Sequence, residues 1–134
     1  MTTRTRFLRR VLALDSIGTT ILALGVVFTA RPLSELFGAS VATLTIVGLS
    51  LLPFTAWVGW LASRANPPRK LVWWVIAANA VWTVDSFVLL MSGWMPLTEL
   101  GKEFIAGQAL LTLGIMTLEY IAIRRVPAHT HAAV

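Results

Sequence analysis

The chain has no cysteine and few charged side chains, and these absences exclude several kinds of site. Without cysteine, none of its 134 residues can form a disulfide, hold an iron–sulfur cluster or supply a thiolate to a metal. The two histidines, His129 and His131, stand in the C-terminal tail, so the apolar part of the chain offers no histidine ligand for a haem. We therefore predict no metal and no cofactor.

Motifs that mark common enzyme classes are also absent. The chain contains no glycine-rich phosphate loop, no His-Glu-x-x-His and no serine–histidine–aspartate arrangement for nucleophilic catalysis. Carboxyl groups within apolar stretches still allow acid–base chemistry, so a membrane enzyme is kept as an alternative.

Hydrophobic residues make up 57% of the chain, which is more than a soluble domain of this length can bury. Four apolar stretches of about 20 residues alternate with short polar segments, and a helix of that length crosses a hydrocarbon core of about 30 Å. The sequence thus predicts an all-α, integral membrane, four-helix up-down transmembrane bundle. Its domain covers residues 11–123, with helices at about 11–30, 41–61, 71–91 and 104–123.

The flanking segments are a basic N-terminus at residues 1–10 and a tail at 124–134. A basic start before an apolar stretch also occurs in cleaved signal peptides. The length of the first stretch and the presence of Asp15 within it favour a membrane span instead.

Lysine and arginine are distributed unevenly between the two sides of the predicted bundle, which indicates its orientation. Only Arg31 and Lys102 fall on one side. We therefore expect the N-terminus, the Ser63–Lys70 loop and the tail to be cytoplasmic. This placement accounts for the formal net charge of +5, so no nucleic-acid partner is predicted. The nine basic residues on the cytoplasmic side are Arg4, Arg6, Arg9, Arg10, Arg64, Arg69, Lys70, Arg124 and Arg125.

Three short sequence patterns in the chain carry a resemblance to a known type of protein. Asp15 in the first stretch, Asn79-x-x-Trp82 in the third and Arg124-Arg125 after the fourth resemble a type of small bacterial integral membrane protein. The resemblance implies a multi-pass protein of a bacterial plasma membrane and carries no particular activity.

A shift of 64 residues aligns the two halves of the chain. Pro32-Leu33-Ser34-Glu35-Leu36 falls on Pro96-Leu97-Thr98-Glu99-Leu100, while Asp15 falls on Asn79. The pattern predicts two tandem helix-hairpin repeats related by an axis along the membrane normal. Chance similarity between two helix-start patterns is the alternative.

Polar residues recur on one face of each predicted helix, which favours a polar bundle axis. One interpretation is structural, with interhelical hydrogen bonds that set the register. The other is a proton or substrate site that opens to the cytoplasm. The candidates are Asp15, Thr19, Thr55, Asn79, Thr83, Gln108, Thr112 and Glu119.

Three further residues are candidates for contact with a second copy or a partner. Asp85 lies about 120° from Asn79 around its helix, so it leaves the predicted axis, and an acid facing bare lipid is costly. Gly48 and Gly59 belong to a small-residue stripe of the kind that lets helices approach closely in lipid.

Two main functions fit these patterns. The first is a non-enzymatic bundle in the lipid bilayer that acts as a homo-oligomer or as an accessory subunit of a membrane complex. The second is a small proton-linked transporter or channel. In it Asp15 and Glu119 carry the proton, while Asn79, Thr83 and Gln108 contact a small-molecule ligand.

Overall fold

The computed structural model describes residues 2–127, and this part of the chain is all-helical, as predicted. Four of its helices are long and apolar enough to cross a membrane. His129 and His131 lie outside the described residues. The five helices are α1 (Thr3–Phe28), α2 (Ala30–Phe37), α3 (Val41–Ser63), α4 (Arg69–Ser92) and α5 (Glu99–Arg125).

The long helices extend beyond the apolar stretches that predict them. The α1 helix begins at Thr3, where the side chain of Thr2 accepts a hydrogen bond from the Thr5 backbone N–H at 3.1 Å. The N-terminal arginines therefore belong to the first turns of α1, since polar residues can continue a helix past the apolar stretch. At the other end of the chain, Thr98 caps α5 in the same way by accepting from the Gly101 N–H at 3.0 Å.

The short helix α2 is a feature that hydropathy did not predict. It follows α1 after Thr29 and ends at Phe37, and the next residue, Gly38, has a φ of +80°, a left-handed conformation that favours glycine. The Phe37 ring stacks on Phe104 of α5 with the centroids 4.7 Å apart. The Thr98 N–H also donates to the Phe37 carbonyl at 3.0 Å, so α2 is fixed to the start of α5.

The long helices form two antiparallel pairs. The pairing of α1 with α3 is seen where Arg9 Nε donates to the Ala62 carbonyl at 2.9 Å. The pairing of α4 with α5 is seen where Arg69 Nη1 donates to the carbonyls of Ile123 and Val126 at 2.9 and 3.0 Å. The α1 helix also packs on α5, whereas α3 and α4 contact each other little. Each hairpin thus has an arginine that caps carbonyls at the end of the second helix.

A buried apolar cluster, drawn from all four long helices, fills the end of the bundle where all the arginines except Arg31 lie. We call this end the basic end and the opposite one the α2 end. Leu8, Leu12, Val58, Leu61, Val72, Val75 and Ile123 are fully buried there. Many large apolar side chains elsewhere point outwards, including Ile17, Ile21, Val81, Val84 and Leu111. The bundle is therefore closed at its basic end and apolar on its outside.

The predicted repeat has partial support from the helix bounds. The α1 and α4 helices end at Phe28 and Ser92, which the 64-residue shift equates. The matched loop segments differ, however, because residues 32–36 lie within α2 whereas residues 96–100 run from an extended loop into α5. The repeat stays a prediction.

Candidate functional site

Three polar side chains from three helices meet inside the bundle. The Asn79 amide nitrogen on α4 donates to Asp15 Oδ2 on α1 at 3.0 Å and to Glu119 Oε1 on α5 at 2.8 Å. Asp15 and Asn79 are each 5% exposed, and Glu119 is fully buried. Both amide hydrogens of one asparagine are therefore used to hold two carboxyl groups together. We call these three residues the axial triad.

The two carboxyl groups of the axial triad differ in how well they are satisfied. Asp15 also accepts a hydrogen bond from the Thr19 hydroxyl, at 3.2 Å to Oδ1. Glu119 Oε2 has no hydrogen-bond partner among residues 2–127, although the side chain is fully buried. Within the same residues no lysine or arginine forms an ion pair with either carboxyl group, and the ion pair that is present joins Lys102 to Glu99 on the surface.

This geometry is unfavourable for two negative charges. Two carboxylates that share one donor repel each other, and burial away from cations makes a second charge costly. A single proton on the pair relieves both problems, as in other carboxyl pairs that titrate together. If Glu119 carries it, Oε2 can donate to the neighbouring Asp15 carboxyl, so the buried oxygen gains a partner.

The hydroxyl groups of Thr55 and Thr83 form hydrogen bonds with groups other than the two carboxyl groups of the axial triad. Thr55 Oγ1 donates to the Ser16 carbonyl at 2.6 Å and lies 2.8 Å from the Thr20 hydroxyl, which ties α3 to α1. Thr83 donates to the Asn79 carbonyl at 2.9 Å. Ser16 and Thr20 were not identified in the sequence analysis. Their spacing of four residues places both on one face of α1, and this spacing was the available signal.

Gln108 forms a second polar layer nearer the α2 end. Its Oε1 accepts from Trp82 Nε1 at 2.6 Å, and its Nε2 donates to Ser86 Oγ at 3.0 Å. Thr112, one turn along α5, donates to the Gln108 carbonyl at 2.9 Å. Gln108 is thereby fixed against α4, and Trp82 has its indole nitrogen satisfied.

A cavity of about 240 Å³, which we call the axial cavity, adjoins the triad at Asn79 and the second polar layer at Trp82 and Thr112. All four long helices contribute to its wall. The apolar cluster of the basic end lies between this cavity and that end of the bundle. The lining residues are Thr19, Leu22, Ser50, Leu51, Phe54, Ala78, Asn79, Trp82 and Thr112.

The three residues considered as partner contacts fall in different places. A Cβ on Gly48 would lie 2.6 Å from the Val27 side chain, and a Cβ on Gly59 would lie 2.8 Å from Ser16 Oγ. Both glycines therefore serve the packing of α3 on α1 within the chain. Asp85 is exposed beside an apolar cavity at the α2 end, and the described residues give it no hydrogen bond or ion pair.

Comparison with known proteins adds no relative. No family model, curated protein or solved structure matches the chain. Residues 2–127 contain no group of three histidine, aspartate or glutamate side chains arranged to hold a metal ion. Function must therefore be argued from the axial triad and its cavity.

Proposed function

We propose that the chain is a multi-pass protein of a bacterial plasma membrane with its basic end in the cytoplasm. Four helices of sufficient length and apolarity, outward-facing apolar side chains, and arginines concentrated at one end support this placement. Trp60 and Trp73 near the basic end, and Trp94 near the α2 end, stand where interfacial aromatic residues belong.

We further propose that the protein is a small proton-linked transporter and that Asp15 and Glu119 hold the exchangeable proton. The observation that carries this proposal is the fully buried Glu119 Oε2, which lacks a partner beside a second carboxyl group. A network that only set helix register would satisfy its buried atoms. Here Glu119 Oε2 has no donor among residues 2–127, and a proton shared with Asp15 or a bound ligand would satisfy it, which fits a binding site for either.

Infrared spectroscopy of the protein in lipid tests the proton site. The wild type is expected to show the carbonyl band of a protonated carboxylic acid that survives at neutral pH and disappears on alkalinisation. Glu119→Gln should remove this band. Glu103→Gln is the matched control, because Glu103 is exposed on the same helix and should leave the band unchanged. Absence of the band from the wild type at neutral pH would contradict the proposal.

A second function, assembly with another copy or with a partner membrane protein, has its own supporting observation. Asp85 is an exposed acid on a helix whose neighbouring outward side chains, Val81, Val84 and Val88, are apolar. An acid at such a position is costly in lipid unless another protein or water reaches it. Gly48 and Gly59 do not support this function, because both contact α1 of the same chain.

A further inference from the structure

A groove of about 600 Å³ runs along the outside of the bundle between α1 and α5 and reaches Asp15. Its walls are mainly apolar side chains, so its surface suits the tails or rings of a lipid-soluble molecule. Thr19, Leu22 and Thr112 line both this groove and the axial cavity, which shows that the two spaces adjoin. The remaining groove residues are Leu14, Gly18, Phe104, Gly107, Gln108, Leu111 and Ile115.

Two glycines keep the groove open. A Cβ added to Gly18 or to Gly107 would meet no atom within 4 Å, so neither glycine is needed for close helix packing. Larger side chains at these positions would project into open space between α1 and α5. The absence of side chains there leaves the groove open from the side of the bundle as far as Asp15.

The chemistry at the inner end of the groove favours a cation. Asp15 and Glu119 lack a cationic partner among residues 2–127, and Glu119 Oε2 is a fully buried acceptor without a donor. Phe54 and Trp82 in the adjoining cavity add aromatic faces, which attract cations and pack against apolar groups. An anion would meet repulsion from the carboxyl pair and no compensating positive charge.

We propose that the axial site takes a lipophilic monovalent organic cation, which reaches Asp15 sideways through the groove between α1 and α5 and displaces the proton. This inference rests on the proposed proton site. Charge is balanced, because one positive charge binds as one proton leaves the carboxyl pair for water.

The described surroundings of the pair contain no other group to take part in this exchange. Asp15 is the one titratable residue among those that line the groove and the cavity, with Glu119 directly behind it. The α3 helix contributes Ser50 and Phe54 to the cavity, and α4 contributes Asn79, none of which titrates near neutral pH. Arg31 on α2 and Lys102 on α5 are exposed at the α2 end, and the other arginines lie at the basic end, beyond the apolar cluster.

The exchange is tested by measuring proton release from the purified protein in weakly buffered detergent. Tetraphenylphosphonium or benzyltrimethylammonium is added as the organic cation. The wild type should release about one proton per bound cation, and its apparent affinity should fall by up to about tenfold for each unit of acidification. Triphenylphosphine oxide, an uncharged analogue, should release none. Glu119→Gln should weaken cation binding by about thirtyfold or more, because the buried counter-charge is lost.

Glycine substitutions test the groove without touching either carboxyl group. Gly107→Leu and Gly18→Leu should slow or weaken cation binding in lipid nanodiscs by at least about tenfold, while leaving the infrared band of the protonated acid in place. Gly114→Leu on α5 and Gly25→Leu on α1 are the controls. Neither glycine has an atom within 4 Å of an added Cβ, and neither lines the groove.

The outcomes separate this inference from the proton site on which it rests. If the infrared band is present but neither cation binds, or if cations bind without releasing a proton, the cation inference is wrong and the proton site stands. If the band is absent as well, both are wrong. Equal binding by the Gly107→Leu and Gly114→Leu proteins would overturn the lateral path.

Discussion

Asp15 and Asn79 stand 64 positions apart in the chain, and their side chains are joined by a hydrogen bond of 3.0 Å. The same shift of 64 residues aligns the two halves of the sequence, so these two residues occupy equivalent positions in the proposed repeats. Equivalent positions of two symmetric halves come into contact only when both lie close to the symmetry axis. The hydrogen bond therefore supports an axial location for the triad.

Asn79 is predicted to be the residue whose loss most disturbs the axial triad. Asn79→Leu removes both donors and leaves two buried carboxyl groups facing each other, which should lower the free energy of unfolding by about 1–3 kcal/mol. Thermal unfolding in detergent, followed by circular dichroism, measures the effect. Asn66→Leu is the control, because Asn66 is exposed in the turn between α3 and α4. Equal stability of the two variants would contradict this role.

Gly48 is predicted to be essential for the packing of α3 on α1. Gly48→Leu places a side chain where the Cβ alone would lie 2.6 Å from Val27 and 3.0 Å from the Ala23 carbonyl oxygen. Overpacking of this kind should cost about 1–3 kcal/mol of unfolding free energy. Gly114→Leu introduces the same side chain into open space and should cost much less. A destabilised Gly114→Leu protein beside an unchanged Gly48→Leu protein would refute this packing.

Asp85 provides the test of assembly. If a second copy or a partner covers this acid, Asp85→Leu should change the mass of the complex extracted from native membranes, measured by light scattering or native mass spectrometry. The Asp85 side chain forms no hydrogen bond or ion pair with the described residues, so the fold should be retained. Glu35→Leu, at an exposed site on α2, serves as the control. A strict monomer before and after the Asp85 change would exclude assembly through this surface.

The absence of native cysteine makes the orientation directly measurable. Ala65→Cys in the turn at the basic end should react with a membrane-impermeant thiol reagent only after the cytoplasmic side is opened. Ser92→Cys at the end of α4 should react in intact cells, because it lies at the opposite end of the same helix. Reaction of both cysteines from the same side would contradict a spanning α4.

The helices themselves were largely predictable from the sequence, because an apolar stretch of about 20 residues specifies a long helix with few alternatives. The α2 helix was not, since its eight residues include Pro32 and are too short for a hydropathy signal. A proline in the first turn is compatible with a helix, which explains how residues 30–37 form one. The start of α5 at Glu99 was missed for a related reason, because its first turn is polar.

The axial triad was partly predictable. In the sequence, Asp15, Asn79 and Glu119 lie at similar depths on polar helix faces. These two features alone predict that the three residues lie close together. Their hydrogen-bonding pattern depends on side-chain geometry that periodicity does not contain. The unpartnered Oε2 of Glu119, and the opening between Gly18 and Gly107, likewise follow from how α1 meets α5. Sequence patterns report which face a residue occupies and leave open the distance between two facing helices.

Whether Asp15 and Glu119 share one proton is tested most directly by solid-state nuclear magnetic resonance. The protein is studied in lipid with ¹³C-labelled aspartate and glutamate carboxyl groups. The chain has only six acidic residues, and Glu35, Asp85, Glu99 and Glu103 are exposed, so the buried pair can be assigned with Asp15→Asn and Glu119→Gln. We predict that at neutral pH one member of the pair has the chemical shift of a protonated acid and the other has that of a carboxylate. Two fully ionised carboxylates at neutral pH would contradict it.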